Sequence, residues 1–155
     1  MKKFIVLIAL LLPLSVMAAE PLTSTIADKY DQTEGVTVVN LEGAMLQAMI
    51  ASQADSIEDA AEAAKYLNAI RVITCEKKSV SSKIRKDVEK LINKAKLQPF
   101  VDMPEEGVKI YTQGEDGTIA AIIVYVVDDG DVTLVEISGN FSSEMINDII
   151  NINIA

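Results

Sequence analysis

"VYVVDDGDVTLVEISGN", residues 124–140, sets an Asp-Gly pair between two β-rich runs. Asp-Gly is a favoured centre for a type I′ hairpin, because both central residues must take positive φ. A second Asp-Gly closes "GEDG" at residues 114–117, between "VKIYTQ" and "TIAAIIVYVV". Two such turns in succession predict an antiparallel three-stranded meander. The aspartates involved, Asp116, Asp128, Asp129 and Asp131, lack the alternate-position spacing and twelfth-position glutamate of an EF-hand. Turn chemistry accounts for them ahead of weak calcium binding or catalysis.

The middle strand of this meander is apolar on both faces. Ile119, Ala121, Ile123, Tyr125 and Val127 point one way, and Ala120, Ile122, Val124 and Val126 the other. A sheet with one wet face alternates apolar with polar residues. Its neighbours do so in part, with Lys109, Tyr111 and Gln113 sharing a face, and Glu136 and Ser138 likewise. We therefore expect a second face covered at its centre and wet at its edges. The cover would be the chain's own terminal segments, with Ile146, Ile149, Ile150 and Ile152 available, or a second copy.

Upstream, "VTVVNL" (36–41) and "AIRVITCE" (69–76) read as strands. Between them lie a helix over "EGAMLQAMIAS", with Met45, Leu46, Met49 and Ile50 on one side, and a second helix through "AAEAAKYL". Ser56-Ile57-Glu58-Asp59 resembles a capping box for the latter. A helical connection makes a right-handed crossover between parallel strands the default. The longest helix carries Val80, Ile84, Val88, Leu91, Ile92 and Ala95 as one apolar stripe. Ser79, Ser81 or Ser82 could cap it, and Pro99 lies just past its end. A short helix from Ser142 or Ser143 through Ile150 closes the chain. The expected fold is α+β: one mixed, mostly antiparallel sheet of about five strands, with helices mainly on one face.

The first eighteen residues, "MKKFIVLIALLLPLSVMA", have the form of a secretory signal peptide. Lys2 and Lys3 precede an apolar run too short to span a bilayer, and Val16-Met17-Ala18 supplies a cleavage site. Residues 19–34 then form a polar lead-in, with a helical turn expected around "STIADKY", and 35–155 a single domain. No cysteine stands just after the leader, so we expect an exported, soluble, periplasmic or cell-surface protein without a lipid anchor. The net charge of −9 becomes −11 once Lys2 and Lys3 are lost, which argues against nucleic-acid binding. Cys75 is the sole cysteine, so no internal disulfide forms; a small buried hydrophobe is its expected role. The absence of histidine excludes Ser-His-Asp and Cys-His nucleophile systems and the usual zinc sites. No glycine-rich phosphate loop occurs, and no cofactor is implied.

Eight of the twelve positive charges outside the leader cluster on and just before the long helix: Lys77, Lys78, Lys83, Arg85, Lys86, Lys90, Lys94 and Lys96. Helix solvation and the dipole account for such residues in general. The candidate partner-binding ridge is Lys83, Arg85, Lys86, Lys90 and Lys94. Asp55-Ser56-Ile57 also matches a short O-glycosylation pattern, although a helix cap explains the same residues.

The motifs "GVTVVNLEGAML", "AIRVITCE", "FVDM", "VKIYTQ", "DGTIAAIIVYV" and "LVEISGN", in that order, resemble the small exported proteins of family 4252 of the domains of unknown function. The resemblance covers roughly residues 30–150. It implies an α+β fold and an envelope location, suggests adhesion or envelope stress, and offers no catalytic residue to transfer. Ala120 and Ala121 stand where the family often carries an acidic residue. The expected function is a non-catalytic envelope protein, monomeric or weakly dimeric, that binds an envelope protein or an anionic surface. The alternative is a hydrolase working through carboxylates without metal or histidine.

Overall fold

Each Asp-Gly pair occupies a two-residue hairpin. In the computed structural model, which describes residues 21–53 and 64–146, Asp116 and Gly117 have φ of 55° and 77°, and Asp129 and Gly130 have 48° and 88°. These positive values are what a type I′ turn requires. The first turn joins β4 (Val108–Glu115) to β5 (Thr118–Asp128), and the second joins β5 to β6 (Asp131–Ser142). Three further strands complete the sheet: β1 (Val36–Glu42), β2 (Leu67–Cys75) and β3 (Gln98–Met103). The order is β1-β2-β6-β5-β4-β3, and every neighbouring pair is antiparallel.

Two expectations are corrected here. The sheet has six strands, the extra one being β3, and it is antiparallel throughout rather than mixed. β1 and β2 pair with Val36 opposite Cys75 and Glu42 opposite Ala69, so the chain leaves and re-enters at the same end of the sheet. Helix α2 (Gly43–Gln53) starts directly at that end, where Gly43 has a φ of 56°, and does not carry the chain back across a face. The helical crossover lies elsewhere. Alternation along the sheet makes β2 and β3 run the same way, and α3 (Lys78–Lys94) connects them across three intervening strands.

The long helix has the predicted stripe. Ile84 and Val88 are fully buried, and Val80, Leu91, Ile92 and Ala95 pack partly buried against the core. Its start differs from the expectation, because Lys77 is the N-cap and makes no side-chain cap. Ser81 is instead buried and donates to the Cys75 carbonyl at 3.4 Å, while Ser82 donates to the Ser79 carbonyl. The helix ends before Pro99: Lys96 takes a φ of 52°, and the Leu97 amide folds back to the Ile92 carbonyl. Leu97 is buried there, and Pro99 enters β3, an edge strand where its missing N–H is tolerated. Among the described side chains of α2, Leu46 alone is buried; Met45 and Met49 are 65% and 49% exposed, so they do not belong to its buried side, and the side chain of Ile50 lies outside those described.

Helix α1 (Ser24–Tyr30) and α3 cover one face of the sheet. Their Ile26, Ala27, Tyr30, Ile84 and Val88 join Ile73, Cys75, Ile123, Tyr125, Val132 and Leu134 in one core cluster. The polar residues Lys109, Tyr111, Gln113, Glu136 and Ser138 lie on this same face, by register with Tyr125, Ile123 and Ala121. The opposite face is the more uniformly apolar one. Val101, Ile110, Val124, Val135, Val72 and Val39 stand in register across all six strands, half-buried except Val39, which is 42% exposed. The proposed covering residues Ile149, Ile150 and Ile152 lie outside the described residues, as do the leader and the capping box at Ser56. Residues 143–146 are helical, and Ile146 is buried.

Candidate functional site

The polar lead-in is a structural element of the domain. Thr23, the N-cap residue of α1, makes no side-chain cap, because its hydroxyl is committed elsewhere. It donates to Glu136 Oε1 at 2.6 Å, and the Thr23 amide donates to the same oxygen at 2.8 Å. The Leu22 amide donates to Oε2 at 2.9 Å, and the Ser138 hydroxyl adds a longer contact at 3.4 Å. Glu136 is only 2% exposed, so these donors replace the water a carboxylate would otherwise hold. Its position had suggested a wet sheet margin; its burial corrects that reading. The register partner of Glu136 on β2, Arg71, directs its guanidinium to Asn40 Oδ1 at 2.6 Å and to Ser24 Oγ at 3.2 Å.

The other end of α1 is fixed to α3. Asp87 Oδ2 accepts from Lys29 Nζ at 2.9 Å and from the Tyr30 hydroxyl at 2.6 Å, and the Lys29 ammonium lies 5.2 Å from the Tyr30 ring centroid. Burial works to raise the Asp87 pKa, but hydrogen bonds from Tyr30 and Lys29 outweigh it and hold the carboxyl below its ordinary value. Burial, then the bond to Asp87, raises the Tyr30 phenol.

Held at both ends, α1 stands off α3 and leaves a cleft of about 680 Å³. Pro21, Leu22, Ile26, Leu91 and Ala95 provide its apolar lining. Lys29, Lys90 and Lys94 carry positive charge at it, and Asp87 is the single carboxylate among its described lining residues. At the β4 side, Gln113 donates to the Ala95 carbonyl at 3.4 Å.

At 3.6 residues per turn, Lys83, Lys86, Lys90 and Lys94 follow one stripe of α3, beside Asp87. Arg85 faces the opposite flank, near Tyr125. Burial raises the Tyr125 phenol above its ordinary value, and the Arg85 guanidinium acts against that rise. All five ridge residues are exposed. Two of them, Lys90 and Lys94, line the cleft. Sequence reasoning missed the cleft's other wall, because α1 is a short polar segment whose packing depends on Glu136, more than one hundred residues away.

Cys75 is buried, with its Sγ 3.5 Å from the Lys77 carbonyl. Among the described residues, no three His, Cys, Asp or Glu side chains converge on a possible metal position, and no helix is long and apolar enough to cross a membrane.

No curated protein and no solved structure matches the chain. The family model described as "Domain of unknown function (DUF4252)" matches residues 30–149, from the last residue of α1 to beyond β6. With that match spanning most of its length, the chain belongs to the DUF4252 family.

Proposed function

We propose that this protein is an exported, non-catalytic binding module that attaches to an anionic envelope surface through the lysine stripe of α3. The observation that carries this reading is the concentration of Lys83, Lys86, Lys90 and Lys94 on one exposed flank of a chain whose net charge is −9. A local positive surface on an acidic protein attracts an anionic partner while the remaining charge preserves solubility. The alternative, a carboxylate-dependent hydrolase, needs two carboxylates facing each other across a substrate. The cleft offers Asp87 alone among its described lining, and that carboxylate is already engaged by Lys29 and Tyr30.

The test is co-sedimentation of the leaderless protein with phosphatidylcholine vesicles, with and without phosphatidylglycerol. Binding should require the anionic lipid and disappear at about 1 M salt, where the screening length is roughly 3 Å. Lys83→Glu/Lys86→Glu should abolish it. Absence of binding, or equal binding to both vesicles, would refute the reading.

A further inference from the structure

We propose that the cleft between α1 and α3 is a binding site for a single-chain anionic amphiphile, with the acyl chain on its apolar lining and the headgroup between Lys90 and Lys94. Five apolar side chains, Pro21, Leu22, Ile26, Leu91 and Ala95, line a space of about 680 Å³. This volume falls within the range of about 300–1,000 Å³ that ligand pockets occupy. A wholly apolar ligand would leave the lysines without a role, and a small polar anion would leave the lining without one. A molecule with both parts uses the whole cleft.

The charges favour an anion at one place. Lys29 is committed to Asp87. Lys90 and Lys94 form no ion pair with any described residue, and they sit one helical turn apart, where two ammonium groups can share one headgroup. The cleft exists because Glu136 and Asp87 fix the two ends of α1, so it need not be assembled on binding. The assignment deepens the reading of the α3 stripe as an anion-binding surface and rests on it for the sign of the ligand's charge.

Calorimetry on the leaderless chain with octanoate, decanoate and dodecanoate, each below its micelle concentration, tests the assignment. We expect one site per chain, with affinity rising roughly fourfold per added methylene. Lys90→Gln/Lys94→Gln should weaken decanoate by about tenfold or more and leave decanol unchanged. Thr25→Trp, at an exposed position lining the cleft, should block all three acids without unfolding the protein. No binding, affinity independent of chain length, or binding indifferent to Thr25→Trp would each overturn the proposal. The two readings fail separately. Vesicle binding that depends on Lys83 and Lys86, with no decanoate binding, would sink the cleft alone. Decanoate binding without vesicle attachment would sink the surface reading alone.

Discussion

Replacing Glu136 with glutamine tests what holds the lead-in helix to the sheet. The carboxylate receives three donors at 2.6–2.9 Å, from the Leu22 amide and from the Thr23 amide and hydroxyl. Hydrogen bonds to a charged acceptor contribute about 1.5–3 kcal/mol each. A glutamine keeps one oxygen and turns the other into an NH₂ that faces a backbone donor. One or two of the three bonds are lost, so the expected cost is about 2–4 kcal/mol. For a domain of this size that corresponds to a fall in Tm of roughly 8–15 °C. Urea unfolding should show a lower midpoint with an unchanged slope, because the same surface is exposed on unfolding. Thr23→Val removes only the hydroxyl bond and should cost about 1–2 kcal/mol; in combination with Glu136→Gln it should cost less than the sum of the two. Limited proteolysis should cut near α1 earlier in Glu136→Gln than in the wild type. A loss below about 1 kcal/mol with α1 still protected would refute the clasp.

Asp87 gives a pH dependence of known sign. Its folded pKa lies below the ordinary 3.8, so its contribution is present above that value and lost as pH falls through the folded pKa. Asp87→Asn should flatten this part of an acid-unfolding profile, and an unchanged profile would contradict the assignment. Gly107, at a φ of 68°, would place a Cβ 2.1 Å from the Val127 carbonyl oxygen; Gly107→Ala should cost about 2–4 kcal/mol by urea unfolding. Gly117→Ala meets nothing within 4 Å and should cost only about 1–2 kcal/mol for its positive φ, so equal losses would refute the steric reading. Millimolar calcium should leave the Tm unchanged in the wild type and in Asp129→Asn; a rise of several degrees would show that the turn aspartates bind it.

The elements that the sequence makes legible are those set by local chemistry. Asp116-Gly117 and Asp129-Gly130 fix two turns by backbone preference alone, and the Val80–Ala95 stripe needs only helical periodicity. The less legible elements depend on distant partners. "QPFVDM" hides as a strand because it contains Pro99 and a register shift between Pro99 and Val101. The direction of β1 against β2 depends on where α2 leaves the chain, which periodicity does not encode. The cleft was half visible: Lys90 and Lys94 stood out as charges, while Leu22 and Ile26 look like an unremarkable lead-in until Glu136 brings them to α3.

The placement of β2 beside β6 sets an order of events during synthesis. The β3–β6 run is built from strands adjacent in sequence, whereas the β1–β2 ribbon attaches to it only along β6. A two-stranded ribbon is marginal by itself in water. The first half of the molecule, complete at Cys75, therefore waits for residues 131–142 before it gains its neighbour. At about 5–20 residues per second that delay is roughly 3–13 s. Glu136 lies in the same late strand, so α1, the first of the described helices to emerge, is among the last to be fastened. A growing chain with this topology keeps α1 and the β1–β2 ribbon unfastened until β6 is made, a window in which chaperones can engage it.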